Sequence, residues 1–96
     1  MNVLIIIPAY NVENQIRPLL HALKQTCNID VLVIDDGSQD NTARVVDENG
    51  YKLIKHENNK GLASAINTGL CYAVDNDYDS IITLDADGQH DPSMLQ

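Results

Sequence analysis

The stretch "NIDVLVIDDGS", residues 28–38, decides the fold of this chain. Its apolar run at residues 31–34 predicts a strand that is buried on both faces, because a strand with one wet face would alternate apolar and polar residues. The strand is expected to end at Asp35, where two aspartates and a glycine are typical of a turn. A strand of this kind belongs inside a parallel sheet with helices on both faces.

The same pattern recurs on either side of this stretch. We predict a first strand in "NVLIIIP" (2–8), stopped by Pro8, a weaker third in "YKLIKHE" (51–57), and a fourth in "YDSIITLDADG" (78–88) that ends near Asp85. Helical patterns separate the strands, and the third has a wide apolar face made of Leu62, Ala65, Ile66, Gly69, Leu70, Ala73 and Val74. The alternation predicts an α/β, Rossmann-like domain with a parallel sheet.

Composition narrows the class of protein. With 96 residues, the chain has room for one domain, residues 1–96. Its net charge of −8 argues against a nucleic-acid partner, because phosphate backbones are bound mostly by Lys and Arg. The apolar run at residues 3–7 is far shorter than a membrane span and follows no basic segment, so we expect neither a signal peptide nor an anchor, and a cytoplasmic location. Cys27 and Cys71 lack metal-binding spacing and are expected to be reduced core thiols.

Polar residues follow each predicted strand. The four loops read "PAYN", "DDGSQD", "HENNKG" and "DADGQHD". Each loop alone is typical of ordinary turns and helix caps. In a parallel sheet, however, all four lie at the carboxyl edge of the strands, which is where such sheets bind ligands. The sequence therefore predicts one shared polar ligand site, in which the crowded carboxylates require a cation or hydrogen-bond donors.

The last loop predicts the cation. Asp85 and Asp87 are two residues apart, and Gln89 adds a neutral oxygen, a donor set that suits Mg²⁺ or Mn²⁺. Zinc is disfavoured, and His90 is expected to face solvent or substrate. A cation with so few protein ligands is normally completed by phosphate oxygens, so the ligand is expected to carry a diphosphate. The usual phosphate-binding motifs, GxxxxGK[ST] and GxGxxG, are absent from the sequence.

Taken in order, "IIIPAYN", "VIDDGSQDNT", "NKGLASAINTGL" and "ITLDADGQHDP" resemble the GT-A-fold nucleotide-sugar glycosyltransferases of family two. The last motif is most similar to the dolichyl-phosphate (polyprenyl-phosphate) mannosyl- and glucosyltransferase branch. The likeness runs from residue 3 to residue 92 and implies that the chain is the N-terminal nucleotide-binding half of such an enzyme, truncated before the acceptor-binding part.

The resemblance also implies roles for individual residues. Tyr10 would stack on the nucleotide base, Asp85 would contact ribose or metal, and Gly61 would let the backbone approach the nucleotide. The implied nucleotide-binding residues are Pro8, Ala9, Tyr10, Glu13, Asp35, Asp36, Lys60, Gly61 and Asp85, and the implied metal ligands are Asp85, Asp87 and Gln89. Structural alternatives stay open for Tyr10 as a packed aromatic, Lys60 as a solvated charge and Asp35 as a turn cap.

The implied chemistry is transfer of a sugar from a GDP- or UDP-linked donor. Mg²⁺ or Mn²⁺ would stabilise the leaving diphosphate, and the acceptor, in this branch a lipid phosphate, would attack the anomeric carbon. The catalytic base is expected beyond Gln96. We expect self-association of the chain through uncovered apolar surface, and a membrane-peripheral location of a full-length form.

Two alternatives remain from the sequence. The chain could be a non-catalytic nucleotide-sugar-binding module. "LDADGQ" also resembles the DxDG nucleophile motif of haloacid-dehalogenase-type phosphatases, although that motif normally follows the first strand rather than the fourth.

Overall fold

The computed structural model describes residues 2–26 and 28–86, which form four strands and three helices. In chain order they are β1 Val3–Ala9, α1 Glu13–Thr26, β2 Asp30–Asp35, α2 Thr42–Glu48, β3 Lys52–Lys55, α3 Leu62–Asp75 and β4 Ser80–Thr83. Every strand pair is parallel, and the order in the sheet is β3-β2-β1-β4. The predicted α/β architecture with a parallel sheet is confirmed.

The strand order has a switch point beside β1. The chain runs from β1 to β2 to β3 in one direction and then places β4 on the other side of β1. Open α/β sheets bind ligands outside the carboxyl ends of their strands at such a point. The end of β1 at Ala9 is therefore where the fold itself offers a site.

Alternate residues of the central strands pack on opposite faces of the sheet. On β1, Ile5 and Ile7 pack with the buried side of α1 and α2, whereas Leu4 and Ile6 pack with α3. This period of two follows from the pleat of the strand. Helices thus cover both faces, which explains why successive residues are apolar in β1 and in the middle of β2, at residues 31–34.

β1 does not stop at Pro8, as the sequence predicted, but continues to Ala9. The Ile6 carbonyl accepts the N–H of Leu84, so it points towards β4, and the backbone of Pro8, two residues on, points the same way. Pairing with β4 has already ended at Ile6. An N–H at position 8 would have no partner on β4, so the strand tolerates a proline there at no cost in hydrogen bonds.

α3 buries a narrower face than its sequence predicts. Three small residues lie against the sheet: Ala65, Gly69 and Ala73. A Cβ on Gly69 would lie 2.7 Å from the Ile6 side chain, so the helix and the sheet approach closely there. The apolar residues Leu62, Leu70 and Val74 are instead exposed. Because they recur at multiples of four, they lie along one side of the helix, which we call the apolar stripe of α3.

One smaller expectation on α3 fails. Cys71 is a free thiol, but it is exposed rather than in the core, and Cys27 lies outside the described residues. Within residues 2–26 and 28–86, none of the helices combines the length and the hydropathy that crossing a bilayer requires.

Candidate functional site

The loop after β2 holds the start of α1. Asp40 accepts the N–H of Glu13 at 3.2 Å, and the Thr42 hydroxyl accepts the N–H of Val12 at 3.0 Å. These side chains satisfy two donors that the first turn of a helix leaves without partners. Burial raises the pKa of the Asp40 carboxyl, but hydrogen bonds from Thr42 and from the Glu13 N–H outweigh it and lower the pKa. Asp40 is therefore held ionised as part of the scaffold.

The loops after β1, β2 and β3 are locked together. The N–H of Asn11 donates to the Ser38 hydroxyl at 2.8 Å, which joins the first two. Gly37 joins the second to the third, because a Cβ at this position would lie 2.6 Å from the backbone of both Asn58 and Asn59. Its φ of +79° also favours glycine. The carboxyl edge is thus a packed surface rather than a set of separate turns.

Asp36 is the centre of this surface. Its Oδ1 accepts the Lys60 N–H at 2.9 Å and contacts His56 Nδ1 at 2.7 Å, and its Oδ2 accepts the Gly61 N–H at 2.8 Å. Burial raises the pKa of this carboxyl, but the hydrogen bonds from His56, Lys60 and Gly61 together bring the pKa below its ordinary value. Asp36 is therefore a buried, ionised and oriented acceptor.

Gly61 needs to be glycine for its own conformation. Its φ of 98° and ψ of 166° lie in a region that only glycine enters readily, and this turn directs its N–H to Asp36 just before α3 begins. A Cβ here would meet open space, so the requirement comes from the backbone angles and not from crowding.

Asp36 borders a pocket of about 240 Å³ at the carboxyl end of β1. We call it the Asp36 pocket, and it is lined by Pro8, Ala9, Tyr10, Asp36, Asn59, Gly61, Leu62 and Ala65. A second pocket of about 330 Å³, the Asp85 pocket, is lined by Pro8, Tyr10, Val12, Leu62, Asp85 and Ala86. The two pockets share Pro8, Tyr10 and Leu62 and so adjoin each other, and we refer to them together as the groove. Tyr10 lines both pockets and is 44% exposed, so it is not a packed core aromatic.

The structure brings together six of the residues that the sequence singled out, since the groove is lined by Pro8, Ala9, Tyr10, Asp36, Gly61 and Asp85. Glu13, Asp35 and Lys60 do not line either pocket in the part of the chain that is described. Glu13 is the first residue of α1, and the Lys60 side chain is exposed. Asp87 and Gln89 lie outside the described residues, as does His90.

Asp35 and Asp36 face opposite sides of the sheet. Ile34 packs on the α3 side, and Asp36 continues that side; Val33 packs on the α1 and α2 side, where Asp35 follows. Asp35 is fully buried, and its Oδ1 accepts the Ser38 N–H at 3.0 Å. This is the turn-capping geometry that the sequence left open for Asp35.

Of the three predicted metal ligands, Asp85 alone lies within the described residues. Asp85 borders the groove two residues after β4, and a carboxylate in that position suits a hard cation such as Mg²⁺ or Mn²⁺. Between residues 2 and 86, Cys27 aside, no three His, Cys, Asp or Glu side chains come together in a way that could hold an ion. A cation here would depend on ligands beyond residue 86.

Sequence reasoning missed the residues that support Asp36. His56 was not among the candidate site residues, yet it is buried and contacts both Asp36 and the Thr68 hydroxyl, the latter at 2.8 Å. Thr68 was not singled out at all. Leu62 and Ala65 were assigned to helix packing, but they also line the Asp36 pocket.

A larger depression of about 420 Å³ lies at the opposite edge of the sheet, near Asp30 and Lys52 at the starts of β2 and β3. We do not place the functional site there, because parallel sheets bind ligands at their carboxyl ends. Tyr78 closes one side of it and donates to Asp30 at 2.7 Å. This hydrogen bond, followed by burial, raises the pKa of Tyr78 to about 12.

The fold and the groove define a doubly covered parallel α/β domain with a ligand groove at its switch point. The model of the family "Glycosyl transferase family 2" matches residues 4–96, and the chain belongs to that family. The expected membership is confirmed, and the phosphatase alternative is excluded.

Named relatives agree with this assignment. A UDP-N-acetylglucosamine–dolichyl-phosphate N-acetylglucosaminyltransferase of Methanococcus voltae is 37% identical over 108 residues, covering 95% of this chain and 43% of the relative. An undecaprenyl-phosphate mannosyltransferase of Micrococcus luteus is 33% identical over 101 residues, covering 99% of this chain and 42% of the relative. The chain thus spans about two fifths of the length of these relatives.

A solved structure confirms the fold. Glucosyl-3-phosphoglycerate synthase from Mycobacterium tuberculosis, in complex with Mn²⁺, UDP and glucosyl-3-phosphoglycerate, superposes with a TM-score of 0.80. The match covers 98% of this chain and 37% of the synthase at 20% identity. At this identity the similarity supports the fold and gives no information about the substrate.

Proposed function

We propose that this chain binds the nucleoside diphosphate of a GDP- or UDP-linked sugar together with a divalent metal, as part of an enzyme that transfers the sugar to an acceptor. The observation that carries the proposal is the Asp36 carboxylate, buried and oriented by three donors at a pocket on the switch point of the sheet. Membership of glycosyl transferase family 2 supports the reaction class.

The groove has surfaces that suit the parts of such a ligand. Tyr10, which is exposed, is proposed to stack on the base, and Leu62 and Ala65 supply apolar surface in the same pocket. Asp36 is proposed to accept an N–H of the base, and Asp85 is proposed to contact ribose or metal; the two residues line adjoining pockets, which supports this division. Lys60, exposed beside Gly61, is proposed to contact phosphate. Roles for Asp35 and Glu13 at the nucleotide stay predictions.

Asp85, Asp87 and Gln89 would hold Mg²⁺ or Mn²⁺ when the diphosphate is bound. A cation there supplies Lewis-acid stabilisation of the negative charge that develops on the leaving diphosphate. The structure of Mycobacterium tuberculosis glucosyl-3-phosphoglycerate synthase with Mn²⁺ and UDP supports a divalent ion, although it shares only the fold with this chain.

A polyprenyl phosphate is the proposed acceptor. Support comes from the Methanococcus voltae and Micrococcus luteus relatives, whose names specify dolichyl-phosphate and undecaprenyl-phosphate acceptors. A phosphate acceptor is already an anion at neutral pH, so it needs no side chain to remove a proton before it attacks. An enzyme with this acceptor would work at the membrane surface, and the whole protein is proposed to be membrane-peripheral and cytoplasmic.

Binding and transfer test separate parts of the proposal. Calorimetry should show tighter binding of UDP or GDP with Mn²⁺ than with EDTA, because the clustered carboxylates need a cation to tolerate a diphosphate. Asp87→Asn should weaken the metal-dependent binding by about tenfold or more, which corresponds to about 1.4 kcal/mol or more. Equal affinity with and without metal would remove the metal from the proposal.

Thermal melts distinguish a ligand from a turn residue at Asp87. The variant without ligand should be as stable as the parent, whereas Mn²⁺ plus nucleotide should raise its melting temperature much less than that of the parent. Equal gains would show that Asp87 is not a ligand. A transfer assay with polyprenyl phosphate then decides between an enzyme and a non-catalytic binding module.

A further inference from the structure

Asp36 has little accepting capacity left. An ionised carboxylate offers about four acceptor positions, two on each oxygen. Oδ1 is filled by the Lys60 N–H and His56 Nδ1, and Oδ2 accepts the Gly61 N–H. Counting partners within the described part of the chain, one position remains, and it is on Oδ2.

His56 fills Oδ1 in either of its protonation states. Because a carboxylate only accepts hydrogen bonds, the proton between Asp36 and His56 is carried by Nδ1. At the other side of the ring, the Thr68 hydroxyl can accept from Nε2 while it donates to the Ser64 carbonyl at 3.1 Å, or it can donate to Nε2. Thr68 thus holds the ring in place whether His56 is charged or neutral.

The bases differ in how many donors they present to a carboxylate. Uracil presents one ring N–H between two carbonyl groups, and a single acceptor satisfies it. Guanine presents a ring N–H and an adjacent amino group, which pair with both oxygens of a carboxylate at once. Cytosine presents no ring N–H at the same position at neutral pH. A carboxylate with one open position on one oxygen therefore matches uracil.

We propose that His56 is a specificity-determining positioning residue, which occupies Oδ1 of Asp36 so that the pocket takes a uracil nucleotide in preference to a guanine nucleotide. This inference rests on the proposed function and settles a choice that the proposed function leaves open. His56 acts through Asp36; it is buried and is not among the residues that line the Asp36 pocket, so it does not need to touch the nucleotide.

The first test needs no variant. Calorimetry on the parent chain with Mn²⁺ should show UDP binding at least about tenfold more tightly than GDP and CDP, or about 1.4 kcal/mol. GDP binding as tightly as UDP would overturn the inference but leave the proposed function standing. If none of the three nucleotides binds, the proposed function fails and the inference fails with it.

Two matched variants then test His56 itself. The amide nitrogen of asparagine reaches about the position of Nδ1, so His56→Asn can still donate to Oδ1, whereas the amide of glutamine reaches about the position of Nε2, so His56→Gln leaves Oδ1 open. Both variants lose the imidazole ring and are expected to lose similar stability, which thermal melts would check.

The UDP-to-GDP affinity ratio is the decisive readout, because a general loss of stability would lower both affinities together. His56→Asn should keep a ratio close to that of the parent, and His56→Gln should lower it by about fivefold or more, or about 1 kcal/mol. Equal ratios in the two variants would show that the contact with Oδ1 does not set the choice of base.

Discussion

Gly37→Ala should destabilise the chain more than the same change at Gly50 or Gly61, the other loop glycines that the structure describes. Gly37 has a φ of +79°, and a non-glycine residue in this region costs about 1–2 kcal/mol. The new Cβ would also lie 2.6 Å from backbone atoms of Asn58 and Asn59, which cannot move aside as the end of a side chain can. Overpacking of this kind typically costs about 1–3 kcal/mol more. The expected loss of unfolding free energy is therefore about 2–5 kcal/mol.

Gly50→Ala is the matched control. Gly50 has nearly the same φ, +77°, but no atom lies within 4 Å of a Cβ built there. It should show the backbone cost alone, about 1–2 kcal/mol. The difference between the two variants then isolates the contact between the loops after β2 and β3.

Urea denaturation at constant pH measures both free energies, and thermal melts should agree, since about 1 kcal/mol shifts the melting temperature of a domain this size by about 4–8 °C. Gly37→Ala should also weaken UDP binding, because the displaced loop carries the N–H groups of Lys60 and Gly61 that orient Asp36. If Gly37→Ala and Gly50→Ala proved equally stable, the two loops would not be in close contact in solution, and the description of Asp36 would have to be revised.

Three further predictions concern charge, a hydrogen bond and exposed surface. Hydrogen bonding outweighs burial and lowers the pKa of Asp36 and of Asp40, so the stability that they contribute is complete above about pH 4 and is lost as the pH falls through the lowered pKa values. Asp40→Asn should therefore make the unfolding free energy fall less steeply with decreasing pH, and an unchanged slope would contradict the reasoning. Tyr78→Phe removes the hydrogen bond to Asp30 and should lower the free energy of unfolding by about 0.5 kcal/mol. Asp30→Asn should lower the pKa of Tyr78 from about 12 in a spectrophotometric titration, and a pKa that did not move would refute the assigned cause. The apolar stripe of α3 should make the chain self-associate at millimolar concentration, and Val74→Lys, at a side chain that is 73% exposed, should reduce this in light scattering, whereas a parent that stays monomeric would remove the basis of the prediction.

Much of the fold is predictable because burial on both faces leaves a strong sequence signal. β1 and β2 are apolar at successive positions, as only strands covered on both sides are. The prediction that β1 stops at Pro8 was wrong because the cost of a proline depends on which neighbour its backbone faces, and that depends on the length of β4. The width of the buried face of α3 was also overestimated. Close approach at Gly69 admits small residues to the interface and leaves larger ones outside it, which the helical period alone does not reveal.

Within the site, the loops were predictable but their partners were not. The polar segments that follow β1, β2 and β4 contribute Tyr10, Asp36 and Asp85 to the groove, as the topology requires. Asp40 and Thr42 were not predicted as supports of α1, because they lie about thirty residues from the N–H groups that they satisfy. Local sequence patterns carry no information about a cap supplied from so far along the chain.

The pairing of His56 with Asp36 can be predicted from the alternation of side chains along a strand once the register between β2 and β3 is known. Ile34 and Ile54 are paired across β2 and β3, and both pack on the α3 side. Asp36 and His56 each come two residues later, so the pleat places them on that same side, next to each other at the carboxyl edge. A one-residue shift of β3 would send His56 to the opposite face and leave Oδ1 of Asp36 open. The register of the edge strand β3 against the central strand β2 therefore determines how many acceptor positions the base pocket offers, which links the packing of the sheet to the proposed choice of nucleotide.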